Sequence, residues 1–403
     1  MALNGATDQL KKLIAEEPVF LPGTEAYRVS RENYLSARES DRTPAGIFQP
    51  FAIRGAGQRP LEACANIHDG ITVDLSRLRG INLNPDTNTV FVAAGEHWGA
   101  VYGKVQAAGL GVNGSRSGKG GIGGLGRPVL LLLTPLKGGG NNFGIVTRFD
   151  LRTFPQKPFW SGVVFCGEGD LAGQIQALVE EIRRPDASRE IHIMVSLGED
   201  AATGNIKVPP MLRPFVDVLQ PIEGLNSFKI VTLAEGATEQ AAMASERVRC
   251  AYVNCTVCTD SEALQSAARI HSQAIELLKS IEGITFSSTL QPYPVSLLSK
   301  TAELGGNVLG LDAGKPLVSV LLLTYWKRAQ DDEPVIAVLQ DALEKIKKDA
   351  AGRGQLVPYT YLNYASRFQD PLMNKKFLQE VSRKYNPEGV FQGQVPCGFK
   401  LFT

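Results

Sequence analysis

Three glycine clusters fall within the first 150 or so residues: Arg54-Gly55-Ala56-Gly57-Gln58, then Gly114-Ser115-Arg116-Ser117-Gly118-Lys119-Gly120-Gly121-Ile122-Gly123-Gly124, then Gly138-Gly139-Gly140-Asn141-Asn142-Phe143-Gly144-Ile145-Val146-Thr147. A backbone without Cβ atoms can approach a ligand closely and take positive φ, so that successive N–H groups converge on an anion such as a pyrophosphate. One such cluster is ordinary turn chemistry in a β-rich domain. Three of them, each beside a strand candidate in one domain, point to a shared anion.

Two motifs inside the second cluster fail on context. Gly121-Ile122-Gly123-Gly124-Leu125-Gly126 satisfies G-x-G-x-x-G, but it follows a polar glycine loop and precedes Pro128, so the strand–turn–helix setting of a dinucleotide site is missing. Gly118-Lys119 resembles the end of a phosphate-binding P-loop, yet Gly120 stands where the hydroxyl is required and Asn113 where the leading glycine is required. Cys255-Thr256-Val257-Cys258 is a lone C-x-x-C in a strand-like stretch with no second pair, and it reads as buried or edge cysteine; no metal site is expected. His271 lies on an apolar helical stripe, as a core histidine would. His97 beside Trp98 reads as structural, and His68 and His192 show no partner spacing. No nucleophile-elbow motif supports hydrolase chemistry.

The elements that must position these residues change character along the chain. From Phe51 to about Asp150 short β-segments alternate with glycine. Ile71, Val73, Leu75 and Leu78 suggest a half-buried strand, and Thr89–Ala94 another, with turn chemistry at Asn84-Pro85-Asp86 between them. Trp98, Val101, Val105 and Ala108 recur at helical spacing, with Gly109 as the stop. Beyond Phe154-Pro155 longer elements alternate. Helices are expected over Leu171–Arg183, from a Thr259/Glu262 capping box through Leu278, and from Pro334 to Lys348 with basic residues at its end. Strands are expected at Ile191–Ser196, Lys229–Leu233, Cys250–Val257 and Leu317–Tyr325, and a late helix near Lys375–Tyr385. That pattern predicts an α+β fold, an antiparallel sheet with helices on one face.

With 403 residues, 43% of them hydrophobic, the chain can build two cores. Its 42 basic and 41 acidic residues nearly cancel, which leaves no field to draw in nucleic acid or an anionic membrane, so the expected partner is a small molecule. The N-terminal stretch MALNGATDQLKKLIAEEP lacks the apolar core of a signal peptide, and the longest apolar run, Val129–Leu133, is far too short to span a bilayer. A cytoplasmic protein is expected. The six cysteines are scattered, unlike a disulfide framework.

The stretches FAIRGAGQRP (51–60), VFVAAGEHWGAVYGKVQAAGLGVNGSRSGKGGIGGL (90–125) and LKGGGNNFGIVTRFDLRTF (136–154) resemble the FAD-binding domain of berberine-bridge-enzyme-like oxidoreductases, of the vanillyl-alcohol-oxidase and p-cresol-methylhydroxylase superfamily. VPPMLRPFVDVLQPI (208–222), LQPYP (290–294), GGNVLGL (305–311), YLNYASRFQDP (361–371) and KYNPEGVFQGQVPCGFKLF (384–402) are similar to the substrate domain and C-terminal return of the fungal branch. The resemblance implies a two-lobed fold: an N-terminal segment over 1–39, an FAD lobe over 40–155 completed by 371–403, and a substrate lobe over 156–370. It implies that Arg54, Gly55, Ala56, Gly57 and Gln58 form the pyrophosphate loop. Ser115, Arg116, Ser117, Gly120, Gly121, Gly123 and Gly124 would line the phosphates and isoalloxazine. Gly144, Ile145 and Val146 would pack on the flavin, and Asn363 would hydrogen-bond it.

Three departures modify the expectation. Many relatives attach FAD through a histidine where this chain has Gln58, and some add a cysteine near the position of Ser117, so FAD here is expected to be non-covalent. Ile47-Phe48-Gln49-Pro50 runs straight into Phe51 where relatives insert a helix, and only GRPVLLLLTPLK (126–137) stands where they carry a long stretch. The FAD lobe therefore reads as shortened. Oxidation of an alcohol or activated C–H needs a base while hydride leaves to the flavin. Tyr361 and Tyr364, in the segment expected to border the ring, are the candidates. The implied activity is oxidation of a small secondary metabolite, with molecular oxygen as second substrate. A non-redox cyclase or pericyclase on the same fold, and a binding protein with an incomplete FAD site, remain open alternatives.

Overall fold

The computed structural model describes residues 20–32, 34, 36–42, 52–62, 64–67, 70–125, 138–166, 171–187, 192–197, 221–242, 248–300, 308–311, 314–395 and 398–402. The two departures at 47–50 and 126–137 lie outside the described residues. The chain separates into two units, one of Met1–Pro155, Ala237–Val248 and Asn374–Thr403, the other of Gln156–Gly236 and Arg249–Met373.

The first unit holds a parallel pair, β1 (Ala52–Arg54) with β2 (Thr72–Asp74). It also holds an antiparallel four-stranded sheet in the order β3 (Ile81–Asn84), β4 (Thr89–Ala93), β6 (Arg148–Pro155), β5 (Leu110–Val112). Val90 and Val92 of β4 and Leu151 of β6 are buried, as the period of two requires when one sheet face meets a core. The helix Trp98–Gln106 supplies Trp98, Val101, Tyr102 and Val105 to that core, and Gly109 ends it with φ +69°. The strand expected through Ile71–Leu78 stops at Asp74. Its carboxylate accepts from Ser76 N at 2.8 Å and caps a short 3-10 helix, Leu75–Arg77, so local side-chain chemistry overrides the apolar alternation.

The segment Ala237–Val248, expected in the second lobe, clusters with the first unit. Gly118 N donates to Ala237 O at 2.9 Å, and Ala37 N donates to Val248 O at 3.0 Å. The C-terminal return belongs to the same unit: Val395 is buried against Ile53 and Ile67.

The second unit has two small antiparallel pairs, β7 (Phe159–Ser161) with β11 (Lys229–Val231) and β8 (Val164–Cys166) with β10 (Pro221–Asn226). Its centre is a five-stranded antiparallel sheet in the order β15 (Leu356–Val357), β12 (Arg249–Cys258), β14 (Leu317–Trp326), β13 (Thr285–Tyr293), β9 (Val195–Leu197). Ala251, Val253, Cys255 and Val257 of β12 and Val318, Val320 and Leu322 of β14 pack in one core with Ile175, Leu178, Leu264, Ala267, Leu278, Val335, Leu339 and Leu343 from three helices, Leu171–Arg183, Ser261–Leu278 and Asp332–Gly352. The helices thus cover one face of an antiparallel sheet. Alternation sends Tyr252, Asn254 and Thr256 to the other face.

Three element boundaries differ from expectation. The cap of Ser261–Leu278 is Asp260, whose Oδ1 accepts from Ala263 N at 2.8 Å, and not Thr259, because a carboxylate one residue nearer reaches the free amide. β11 ends at Val231, and Leu233 starts the helix Leu233–Ala242, with Glu235 accepting from Thr232 N at 2.7 Å. The helix expected over Pro334–Lys348 runs over Asp332–Gly352 and has no basic residue in its last turn; its acidic first turn, Asp332 and Glu333, complements the macrodipole instead.

Candidate functional site

In the first unit the first two glycine clusters meet. A Cβ on Gly121 would lie 2.5 Å from the Ala56 Cβ and 2.8 Å from the Ala56 N, so the first and second clusters interlock at a position only glycine fills. The second cluster is fastened to the start of the Trp98–Gln106 helix by Trp98 N to Gly120 O (2.9 Å), Gly99 N to Gly118 O (2.9 Å) and Ile122 N to Glu96 O (3.1 Å). Beneath it, Tyr102 OH donates to Ser115 O, and Trp98 stacks on Tyr102 with centroids 5.4 Å apart. His97 Nδ1 lies 2.8 Å from Lys119 O, a loop-holding contact. The third cluster joins at both ends. Ala94 N donates to Thr147 O at 3.0 Å, and Asn142 Nδ2 donates to Gly139 O (2.7 Å) and Phe399 O (2.9 Å). Arg59, just beyond the first cluster, lies over the Phe399 ring at 6.0 Å.

The individual residues of these loops divide in their roles. Arg54, expected in the pyrophosphate loop, is buried, and its guanidinium turns inward. Nη1 donates to Ser30 O (2.6 Å) and Ser30 Oγ (2.9 Å), lies 3.4 Å from Asp74 Oδ2, and the group sits 4.2 Å over the Tyr34 ring. It is a strut under the loop. The side chain of Gln58 donates to Ala56 O at 3.2 Å, folding back on its own turn. Gly57 has φ +64°, with Tyr34 packed against it. Ser115 Oγ accepts from Ser117 N at 3.3 Å. Arg116 and Gly123 are exposed; a Cβ on Gly55 or on Gly144 would meet nothing within 4 Å, and Ile145 is an exposed large apolar side chain.

That arrangement suits FAD on two observations. The amides of Ala56, Gly57 and Gln58 have no acceptor among the described residues, and Gly55 and Gly144 face open space where backbone can approach a ligand. Unpartnered main-chain amides in one loop and an exposed apolar side chain in another are the groups that a ligand with a diphosphate at one end and an aromatic ring at the other would use.

In the second unit, on the sheet face turned from the helices, four tyrosines cluster. Tyr361 and Tyr364 meet edge-on with centroids 4.9 Å apart, Tyr364 meets Tyr252 at 5.9 Å, and Tyr252 meets Tyr325 at 6.0 Å with their hydroxyls in direct contact. Burial first, and the Tyr325 phenol second, push Tyr252 well above the usual phenol range, so it stays protonated. Asn363 Nδ2, expected on the flavin, donates to Tyr361 OH at 3.1 Å. Asn254 holds the segment: its Oδ1 accepts from Tyr361 N at 2.7 Å and its Nδ2 donates to Tyr361 O at 3.0 Å. Sequence reasoning missed Asn254, Tyr252 and Tyr325. Tyr252 and Asn254 sit two apart on β12, and Tyr325 of β14 lies on the same sheet face, two residues beyond Leu323, the partner of Tyr252; that stripe is legible only once β12 and β14 are paired.

The Cys255–Cys258 pair carries no chemistry here. Residues three apart on a strand point to opposite faces, and burial pushes the Cys255 thiol up to about 12. Among the described residues no group of histidine, cysteine and carboxylate side chains could hold a metal ion. His271 is buried, with Nε2 3.3 Å from Phe286 O. No helix among the described residues is long and apolar enough to cross a membrane.

The FAD binding domain family matches residues 48–126. The chain is 28% identical to an FAD-dependent monooxygenase of Cochliobolus heterostrophus over 87% of this chain and 80% of that protein. It is 29% identical to the bifunctional solanapyrone synthase of Alternaria solani over 87% of this chain and 76% of the other. Among solved structures it superposes on the berberine-bridge-enzyme-like protein 1 of Physcomitrella patens with a TM-score of 0.72, 14% identity, and coverage of 98% and 99%. On the berberine bridge enzyme of Eschscholzia californica the TM-score is 0.68, with 12% identity and coverage of 97% and 99%. The fold is therefore the α+β FAD-binding one of the vanillyl-alcohol-oxidase type. Interlocked glycine loops, a matched FAD-binding region and fungal relatives named as FAD-dependent monooxygenases together mark this chain as an FAD-linked oxidoreductase, on a fold shared with berberine-bridge-enzyme-like proteins.

Proposed function

We propose that the protein oxidises an alcohol or activated C–H of a small secondary metabolite, using non-covalently bound FAD and molecular oxygen. The observation that carries this is the seating of Gly121 against Ala56, which brings two glycine-rich loops together, as a cradle for one anion would need. FAD, when bound, supplies the hydride acceptor. In this reading Ala56, Gly57 and Gln58 offer main-chain N–H groups to the diphosphate, with the loop of Ser115 to Gly124 beside them. Gly144, Ile145 and Val146 present backbone and apolar surface to the ring. Neither Gln58 nor Ser117 has a side chain that forms a flavin bond. Tyr361 or Tyr364, as the phenolate, takes the substrate proton at its oxygen and becomes the phenol, and Asn363 Nδ2 favours Tyr361 in that role by donating to the oxygen. Fungal relatives named as FAD-dependent monooxygenases and as a solanapyrone synthase support the biosynthetic class of substrate.

Purified protein tests this. A yellow sample that releases its flavin on acid precipitation, and consumes oxygen with a metabolite from its own gene neighbourhood, is the expected result. Yellow protein that converts substrate without oxygen uptake indicates the cyclase. Colourless folded protein that takes up no added FAD indicates the binding protein and overturns the proposal.

A further inference from the structure

The third glycine cluster carries Gly144, Ile145 and Val146, the residues of the first unit that the proposed function sets against the flavin ring. Among the described residues nothing holds that span to a sheet: Gly144 touches no atom within 4 Å of a built Cβ, and Ile145 is exposed. Its shape depends on its ends. At one end Thr147 O accepts from Ala94 N, which ties it to the turn after β4. At the other end stands Asn142, fully buried, with its amide saturated. Both Nδ2 hydrogens are used, on Gly139 O at 2.7 Å and Phe399 O at 2.9 Å, and Oδ1 accepts from Gln392 Nε2 at 3.0 Å. Gln392 then uses its own Oε1 to accept from Leu401 N at 3.1 Å.

These bonds join residues some 250 positions apart in one amide relay, from the cofactor-side loop through Asn142 and Gln392 to the tail. The tail is fitted to receive it. Gly398 has φ +77°, and a Cβ there would lie 2.8 Å from Asn141 Oδ1. Lys400 Nζ donates to that same Asn141 Oδ1 at 3.3 Å and to Phe391 O at 3.0 Å. The bond from Asn142 to Gly139 also closes a turn over Gly140 (φ +66°), just after Gly138 (φ +123°), backbone states that relax elsewhere once the strut is gone.

We infer that Asn142 and Gln392 are positioning residues for the cofactor: the C-terminal tail sets FAD affinity by holding the Gly144–Val146 span through their amide relay. The inference rests on the proposed flavin reading, but it concerns binding and not turnover. Neither residue reaches the ligand in this account. A buried primary amide with three partners is a locked group, and removing it leaves two carbonyls and one N–H without partners in the same small volume.

The test is FAD titrated into full-length apoprotein, followed by quenching of flavin fluorescence and by calorimetry, with circular dichroism and thermal melting of each apoprotein alongside. Asn142→Leu and Gln392→Leu are each expected to raise the FAD dissociation constant at least tenfold. The double variant is expected to be no worse than the weaker single, since residues acting through one relay are not additive. Gln379→Leu removes a different tail bond, Gln379 Nε2 to Leu401 O at 2.7 Å, and is expected to keep wild-type affinity. Should Asn142→Leu fail to fold, the partly exposed Gln392 decides the matter alone. Wild-type protein that takes up no FAD defeats the flavin reading itself. Wild-type protein that binds FAD while Gln392→Leu binds within twofold of it, or losses that simply add in the double variant, overturn the relay.

Discussion

Replacing Gly121 by alanine tests the cradle at its tightest point. The added Cβ would stand 2.5 Å from the Ala56 Cβ and 2.8 Å from the Ala56 N. Relaxed carbon–carbon contact is about 3.5–4.0 Å, so the two loops must part by about 1 Å. Neither obstacle is the far end of a flexible side chain, and overpacking of this kind costs about 1–3 kcal/mol. The apoprotein relaxes by separating the loops, and a diphosphate bridging both must draw them together again. The strain therefore appears as FAD affinity about 5- to 150-fold weaker, with a smaller loss of stability. Gly55→Ala is the matched control, since its Cβ meets no protein atom within 4 Å. That variant should melt with the wild type to within about 0.5 kcal/mol and still bind FAD less well, because the proposed site gives that space to the ligand. Fluorescence titration of FAD into the two apoproteins, paired with urea unfolding, reads both quantities. A Gly121→Ala protein that binds FAD within twofold of wild type would refute the interlocked-loop argument.

Four further outcomes are expected. Tyr361→Phe should keep full flavin occupancy yet lower the rate of flavin reduction by a substrate about 100-fold or more, and an unchanged rate would move the base role to Tyr364. Burial depresses the His271 ring to about 4 from 6.5, with its bond to Phe286 O opposing that shift. The unfolded chain therefore binds a proton first as pH falls, so stability is full above pH 6.5 and is lost down to about pH 4, by about 3 kcal/mol at most. Urea titrations at pH 7.5 and 4.5 should show that loss shrinking in His271→Leu. Arg249 grips Asp332 through two bonds of 2.6 and 2.8 Å, with Trp326 Nε1 donating a third at 2.8 Å; Asp332→Ala should destabilise the second unit by about 3–5 kcal/mol in chemical denaturation. Cys255, a thiol raised to about 12 in the core, should resist a thiol reagent in folded protein at neutral pH, and rapid labelling would place it outside that core.

Much of the second unit was legible because its elements are long and periodic. The helix Leu171–Arg183 and strands β12 and β14 follow from apolar spacing of 3.6 or 2, which burial against one core enforces over many residues. Boundaries were harder to read. Asp260 or Thr259 as a cap, and the turn from β2 into a 3-10 helix at Leu75, depend on which of two adjacent polar groups reaches a free amide, a matter of ångströms. In the site, the glycine clusters announced themselves by composition, whereas Arg54 and Asn363 did not reveal their partners. A guanidinium or an amide is equally able to face a ligand or a protein group. Only the fold put Ser30 under Arg54 and Tyr361 beside Asn363.

By itself, the sequence determined the α+β class, the three glycine clusters, and the presence of glutamine at 58 and serine at 117, because each is a property of residue type or local period. Tertiary structure alone decided that Ala56 meets Gly121, that Ala237–Val248 joins the first unit, that Asn142 is bound to a tail some 250 residues away, and that Asn254 holds Tyr361. The reason is physical: each of these is a contact between segments far apart in the chain, selected by which surfaces pack, and no local propensity encodes it.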